Sequence, residues 1–183
     1  MVEEVAGKGY GAVTVADIVK RAGIARKTFY ETFDSKEDCF LAAQRFAMSA
    51  ALDQVVEAAG EFGNWPDRIK AGLTAFLRYV VEEPAFARTC MVEALTAGPE
   101  AVRCYEESLQ VFVSLFRLGR DASSRGEQLP ETMEEAIVGG VFWIVHQRLV
   151  LGQVEGMENL LPELVEFALT PYLGAETARA MAR

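Results

Sequence analysis

Four basic side chains surround a glycine near the N-terminus, in the stretch ADIVKRAGIARKTFYETF. The four residues are Lys20, Arg21, Arg26 and Lys27. Ammonium and guanidinium groups bind anions, and the planar guanidinium forms paired hydrogen bonds with phosphate oxygens and guanine edges. Gly23, between the two basic pairs, is a residue type that ends helices. The stretch therefore indicates a small module that contacts an anion around a helix break.

The charge of the chain is asymmetric. The 183 residues carry a formal net charge of −9, yet residues 8–36 contain six basic and three acidic residues. From residue 37 onward, 12 basic residues are outnumbered by 22 acidic ones. This balance argues against nonspecific nucleic-acid binding by the whole surface and favours a localised anion-binding module at the N-terminus.

Composition and periodicity predict a folded all-α protein of about nine helices. Hydrophobic residues make up 51% of the chain and charged residues 25%, which excludes disorder. Apolar residues recur at spacings of three and four almost everywhere, and alternating strand patterns are absent. No apolar run is long enough to cross a bilayer and no secretory signal is visible, so we expect a cytoplasmic protein without a membrane partner.

Capping residues mark the boundaries of the N-terminal helices. Thr14 is a predicted N-cap with Asp17 three residues later, and Ser35 caps a long helix that continues to about residue 59. Ile18, Ala22, Ile24 and Phe29 have the spacing at which two short helices share one small core across a tight turn. This spacing is typical of a helix-turn-helix. A surface helical hairpin with solvated charges has the same spacing and remains open.

The residues GYGAVTVADIVKRAGIARKTFYETFDSKEDCF resemble the DNA-binding segment of the TetR/AcrR family of transcriptional regulators. The resemblance covers about 32 residues. It rests on Gly9-Tyr10, on TVADIV with Thr14 as its cap, on AG before Ile24, on TFY followed by Phe33, and on SKE. Ala25 departs from the family, which often has Ser or Thr as the cap of the third helix.

The resemblance implies two domains and a set of DNA contacts. Residues 1–45 would form the helix-turn-helix domain and residues 46–183 an effector-binding and dimerisation domain. Thr14, Tyr30 and Lys36 would contact phosphates, and Arg26, Lys27 and Thr28 would read base edges. The implied function is a homodimeric repressor that a small apolar or aromatic effector releases from a pseudo-palindromic operator in double-stranded DNA.

Aromatic residues and methionines at many helical positions of the larger domain predict an apolar pocket between helices. The candidate pocket residues are Phe76, Tyr79, Phe86, Met91, Phe112, Phe116, Trp143 and His146. Any one of these residues could also be an ordinary core residue. The resemblance implies a dimer interface on the last two apolar helices. The candidate interface residues are Gly139, Gly140, Leu160, Leu164 and Phe167.

Three other functions have weaker support in the sequence. The chain has one histidine and no metal-ligand cluster, P-loop or nucleophile elbow, so we expect no enzyme, no cofactor and no metal. A helical scaffold or small-molecule-binding protein whose basic module meets a non-DNA partner is the main alternative. A regulator switched by Cys39, Cys90 or Cys104 is a narrower one, since none of these forms a CxxC pair.

Overall fold

A computed structural model describes residues 1–183 and contains helices but no strands, which confirms the predicted all-α class. The α-helices are α1 Val2–Lys8, α2 Val15–Ala22, α3 Arg26–Thr32, α4 Lys36–Gly60, α5 Trp65–Glu82, α6 Pro84–Met91, α7 Pro99–Arg117, α8 Gly119–Ala122, α9 Met133–Val150, α10 Leu161–Leu173 and α11 Ala175–Ala182. Short 3₁₀ segments lie at Tyr10–Ala12, Glu93–Thr96, Gly126–Gln128 and Met157–Leu160.

A small core holds the N-terminal helices together. Its main side chains are Val5, Val13, Ile18, Phe29 and Phe40, contributed by α1 to α4 and the segment between α1 and α2. The same cluster contains Ala94, Ala97 and Ala101, which lie after α6 and at the start of α7. The N-terminal helices are therefore packed directly against the larger part of the chain.

A larger core lies between α5, α9 and α10, with α4, α6, α7 and α11 packed around them. Proline residues fit the starts of four of these helices: Pro66 in α5, Pro84 in α6, Pro99 in α7 and Pro162 in α10 all occupy first-turn positions. Asn64 caps α5 by accepting a hydrogen bond from the Asp67 N–H at 3.0 Å. None of the helices combines the length and apolar character that crossing a membrane requires.

The sequence pattern predicts one helix over about 85–96, another over about 99–121, and a frayed tail after Gly174, and the structure differs at all three places. The helix after Pro84 ends at Met91 and continues as the 3₁₀ segment Glu93–Thr96, and α8 is a separate short turn after α7. Residues after Gly174, which we expected to fray, form α11 instead. Ala178 is fully buried there, and the Lys70 ammonium donates to the Met181 carbonyl at 2.8 Å. Apolar contact and this hydrogen bond together stabilise the last helix.

Candidate DNA-binding face and ligand cavity

The start of α2 is fixed by the predicted capping box. The Asp17 N–H donates to the Thr14 hydroxyl at 3.2 Å, and the Asp17 carboxylate accepts from the Thr14 N–H at 2.9 Å. The Thr14 hydroxyl also donates to that carboxylate, and the Lys8 ammonium lies 3.0 Å from it. These bonds, the one from the Thr14 hydroxyl above all, hold the pKa of Asp17 well below its usual range. Thr14 thus lies, exposed, at a rigid helix start.

The turn between α2 and α3 depends on Gly23. Its φ of 67° lies in the left-handed region, and its N–H donates to the Lys20 carbonyl at the end of α2. The next residue, Ile24, is 41% exposed, so the expectation that it belongs to the small core is wrong. Ala22 is exposed as well. Ile18 and Phe29 are the buried side chains of the helix pair, with the half-buried Val15, Val19 and Phe33 packed against the same core.

The outer face of α3 presents the predicted base-reading residues. Arg26, Lys27 and Thr28 are all exposed, and Phe29 behind them is 1% exposed. The Arg26 guanidinium lies 5.6 Å from the centre of the Tyr30 ring and donates to its hydroxyl at 3.4 Å. A short helix with this arrangement fits a DNA major groove. Arg26 and Tyr30 are thereby held side by side.

Two further features of α3 concern its N-cap and the charge of Lys27. Ala25 occupies the N-cap position in extended backbone and provides no side-chain hydrogen bond, as its departure from the family pattern implied. Lys27 lies 3.8 Å from Glu31 one turn later, and its side chain is 87% exposed. An exposed pair of this kind is weak. The Lys27 ammonium therefore stays available to another anion.

Lys36 has an internal role that the sequence did not indicate. Its ammonium donates to the backbone carbonyls of Tyr10 and Val13, both at 2.9 Å, and lies 4.1 Å from the centre of the Tyr10 ring. The side chain is half-buried. An ammonium has three donors, so two are used in tying α4 to the segment before Thr14. One donor remains for the phosphate contact predicted for this residue.

A polar connection joins this N-terminal unit to the far end of α9. The Tyr10 N–H donates to Glu93 at 2.9 Å, and the other oxygen of Glu93 lies 3.5 Å from the Arg88 guanidinium. Arg88 in turn donates to the Leu149 carbonyl at 3.0 Å. We call these four residues the interdomain connection. Sequence reasoning missed it, since its members lie far apart along the chain.

An apolar cavity of about 230 Å³ lies between α4, α5, α7 and α9. It is lined by Val55, Val56, Ala59, Gly60, Trp65, Arg68, Ile69, Gly72, Leu73, Phe76, Phe112, Leu115, Phe116, Leu118, Val138, Val141 and Phe142. The rings of Phe76, Phe112 and Phe142 are within 5.1–6.1 Å of one another, centre to centre. Val56 and Leu118 are half exposed or more, so the cavity opens to the surface beside them.

Only part of the predicted pocket lines this cavity. Phe76, Phe112 and Phe116 do so. Tyr79 and Met91 line a separate void of about 20 Å³ behind the phenylalanine rings, which is room for about one water. The Tyr79 hydroxyl donates to the Ala47 carbonyl at 3.1 Å, and burial raises the pKa of Tyr79 to about 12. Tyr79 is therefore a satisfied core tyrosine.

The remaining three predicted pocket residues lie outside the cavity lining. Trp143 is 62% exposed, and its ring stacks on that of His146 at 5.9 Å. Nδ1 of His146 lies 2.8 Å from the Met91 carbonyl, which can only accept, so this nitrogen carries the proton. Phe86 is half-buried and packs near Phe46. The helical phase of α9 directs Phe142 to the cavity and its neighbour Trp143 to the surface.

The outer face of α9 and α10 differs from the predicted interface in composition. Phe167 is 46% exposed, but Leu164 is 2% exposed and Leu160 packs against the large core, so both serve the subunit itself. A Cβ on Gly140 would lie 3.0 Å from the Phe167 ring, which explains that glycine within one chain. Gly139 is exposed with open space around it. Gly139, Trp143 and Phe167 therefore form an exposed apolar face.

A buried ion pair supports α9 on the side away from this face. Glu134 is fully buried and accepts two hydrogen bonds of 2.9 Å from Arg120 and one of 2.8 Å from the Tyr172 hydroxyl. Burial alone would raise the pKa of Glu134, but the hydrogen bonds from Arg120 and Tyr172 outweigh it and lower the pKa. Tyr172 also packs on Trp65, 4.6 Å between ring centres, so the cavity wall and this ion pair are in contact.

The three cysteines are free thiols. Cys39 and Cys90 are buried and Cys104 is half-buried. Burial raises the pKa of all three, that of Cys90 to about 12. A raised thiol pKa lowers the fraction of reactive thiolate, which argues against a thiol switch.

Comparison with known proteins relates the N-terminal helices to one family. The family model for bacterial regulatory proteins of the tetR family matches residues 2–43, the segment that contains α1 to α3 and the start of α4. The chain is 26% identical to the HTH-type transcriptional regulator EthR of Mycolicibacterium smegmatis over 165 residues. That alignment covers 89% of this chain and 76% of EthR.

Solved structures show the same fold over almost the whole chain. The fatty acid degradation regulator FadR from Bacillus halodurans matches with a TM-score of 0.80 at 17% identity, over 93% of this chain and 89% of that one. FadR from Bacillus subtilis, solved in complex with stearoyl-CoA, matches with a TM-score of 0.77 at 19% identity, over 94% of each chain. Residues 2–43 therefore match the family model for bacterial regulatory proteins of the tetR family, and the chain is similar in fold to solved TetR family transcription regulators, with a helix-turn-helix at its N-terminus.

Proposed function

We propose that the protein is a cytoplasmic homodimeric repressor that a small apolar effector releases from a pseudo-palindromic operator. The observation that carries the proposal is the pairing of an exposed basic helix, α3, with an apolar cavity elsewhere in the same chain. An effector changes DNA affinity only if it binds one conformation of the protein better than another. A cavity walled by four helices gives such a ligand a way to shift those helices.

The DNA contacts follow from the exposed residues of the N-terminal domain. Arg26, Lys27 and Thr28 contact base edges in the major groove, while Thr14 and Tyr30 contact phosphates. Lys36 contributes its third N–H to a phosphate, in addition to its two internal hydrogen bonds. In this assignment residues 1–45 bind DNA, and residues 46–183 bind the effector and form the dimer.

Dimerisation is needed because one short helix reads few base pairs. Two copies related by a twofold axis can place their α3 helices about one DNA turn apart, roughly 34 Å, and so read two half-sites. The exposed face of Gly139, Trp143 and Phe167 is the proposed contact between the copies. Its large exposed aromatic rings support this assignment, because such rings commonly anchor protein interfaces.

The test is selection of binding sites from a random duplex library, followed by titration with alkyl ligands. We expect enrichment of a twofold-symmetric sequence with half-sites about one turn apart, and loss of binding when a ligand occupies the cavity. If no duplex is enriched, the basic module has a non-DNA partner instead. If a symmetric site is enriched but no ligand alters its binding, the effector part of the proposal is wrong.

A further inference from the structure

We propose that the effector is an amphiphile with an oxyanion head group on an alkyl chain, and that Arg68 binds the head group at the mouth of the cavity. This inference rests on the proposed function, because it concerns the effector of the same cavity. It specifies the chemistry of the ligand and the residue that selects it.

The side chains inside the cavity can contact a ligand only through apolar groups. Apart from two glycines and Arg68, every lining residue is hydrophobic. The one polar atom among the lining aromatic rings, Nε1 of Trp65, donates to the Leu115 carbonyl at 3.3 Å. A polar group placed deep in the cavity would lose its hydrogen bonds to water without replacement. The inner part of the ligand must therefore be apolar.

Arg68 is the one charged residue of the lining, and it is exposed. Its Nε donates to the Phe62 carbonyl at 2.7 Å, which fixes the plane of the guanidinium, while its two terminal nitrogens make no salt bridge. The neighbouring acid, Asp67, accepts instead from the Asn64 side chain. The free edge of a fixed guanidinium matches the two oxygens of a carboxylate or phosphate.

The positions of these groups on α5 connect the head-group site to the apolar space. Trp65, Arg68, Ile69 and Gly72 share one face of the helix, because residues three and four apart are neighbours. A ligand whose head group binds Arg68 can therefore extend its chain past Ile69 toward Phe76. The cavity, about 230 Å³, is far larger than the one-water void beside Tyr79 and has room for an alkyl chain.

The test compares three probes of eight carbons each: octanoate, octyl phosphate and 1-octanol. Binding is measured by the fluorescence of Trp65 in a Trp143→Phe background, which leaves Trp65 as the single tryptophan. We expect at least one of the two anions to bind about tenfold more tightly than octanol, a modest factor because Arg68 is solvated. Whichever anion shows the preference identifies the head group as carboxylate or phosphate.

Two variants test whether Arg68 causes the preference for anions over octanol. Arg68→Gln should remove the difference between anion and alcohol while leaving octanol binding unchanged. Arg78→Gln is the matched control, since Arg78 is an exposed arginine on the same helix and is not part of the cavity lining. It should leave all three affinities unchanged.

The possible failures are distinct. If octanol binds as tightly as both anions, or if Arg68→Gln preserves the preference, the head-group inference is wrong while the cavity remains an effector site. If none of the probes perturbs Trp65, both this inference and the effector part of the proposed function are wrong.

Discussion

Glu93 accepts a 2.9 Å hydrogen bond from the backbone N–H of Tyr10, across 83 positions of sequence. The same carboxylate lies 3.5 Å from Arg88, which donates to the carbonyl of Leu149. Glu93 is 7% exposed, so these are contacts in a poorly solvated environment, where an unpaired group is costly. One carboxylate therefore links the N-terminal helices to α6 and α9, in addition to the apolar contacts of the small core.

Replacing Glu93 with alanine should lower the free energy of unfolding by about 1–3 kcal/mol, because the Tyr10 N–H and the Arg88 guanidinium both lose their partner. Urea denaturation measures this change. The control is Glu107→Ala, since Glu107 is 72% exposed and lies 3.8 Å from Arg103 in a surface pair. The control should change the free energy by less than about 0.5 kcal/mol. Equal effects of the two variants would contradict the assigned role.

Lys36→Met should lower both stability and DNA affinity. The Tyr10 and Val13 carbonyls lose a charged donor, at a cost of about 1–3 kcal/mol in unfolding free energy. Loss of the proposed phosphate contact should weaken binding uniformly across operator variants and reduce the slope of log K against log salt by about one. Denaturation and salt-dependent binding measure the two effects separately. A change in base preference instead would rule out the phosphate contact.

Lys27→Ala should relax base preference at one or two positions of each half-site, by roughly 1 kcal/mol of discrimination. The exposed ammonium of Lys27 has only a weak competing pair with Glu31. Selection from the random duplex library shows the effect as a flattened base profile. The control is Lys20→Ala, which removes the same charge from an exposed position on α2. It should leave the base profile unchanged. If both variants retain the wild-type profile, Lys27 does not read bases.

Trp143→Glu should convert the protein to monomers and reduce operator affinity. A charge placed at the centre of the proposed apolar interface would be desolvated without a partner. Sedimentation velocity measures the oligomeric state. Phe46→Glu is the comparison variant, because Phe46 is 67% exposed but lies on α4, away from α9 and α10. If Phe46→Glu were monomeric and Trp143→Glu still dimeric, the dimer interface would lie on another face.

Glu134→Gln should lower the unfolding free energy at neutral pH by about 3 kcal/mol, because Arg120 keeps a partly buried charge without its counterion. The folded pKa of Glu134 is lowered, so its stabilising contribution is present above the ordinary carboxyl pKa and is lost as the pH falls below about 4. The wild type should therefore lose stability more steeply on acidification than the variant. Denaturation midpoints between about pH 6 and pH 3 measure the difference.

The control for this acid-dependence is Glu163→Gln on the exposed face of α10. Its pH profile should coincide with that of the wild type. An unchanged acid profile in Glu134→Gln would show that other carboxylates dominate the loss of stability in acid.

The N-terminal domain was predictable because its determinants are local. The Thr14–Asp17 box and the turn at Gly23 each involve residues within a few positions, and their geometry depends on residue type alone. Ile24 shows the limit of such reasoning. Its spacing suited the small core, but the left-handed turn at Gly23 directs it toward solvent.

The cavity was less predictable because α9 is apolar on nearly every face. Periodicity cannot distinguish Phe142, which lines the cavity, from Trp143, which is exposed, when both neighbours are aromatic. Arg68 escaped notice because a single exposed arginine has no sequence signature. The pairing of Glu93 with Tyr10 depends on how α6 packs against the N-terminal helices, and no local pattern encodes it.

The interdomain connection, like the internal contacts of Lys36, ends on main-chain groups. The Tyr10 N–H, the Leu149 carbonyl, and the Tyr10 and Val13 carbonyls are present whatever side chains those positions carry. Side-chain substitutions at Tyr10, Val13 and Leu149 therefore leave these hydrogen bonds possible. Substitutions of Glu93, Arg88 or Lys36 remove them. The mutational sensitivity of these polar contacts is thus concentrated in three charged side chains, whereas the apolar contacts around Ala94, Ala97 and Ala101 are sensitive through packing.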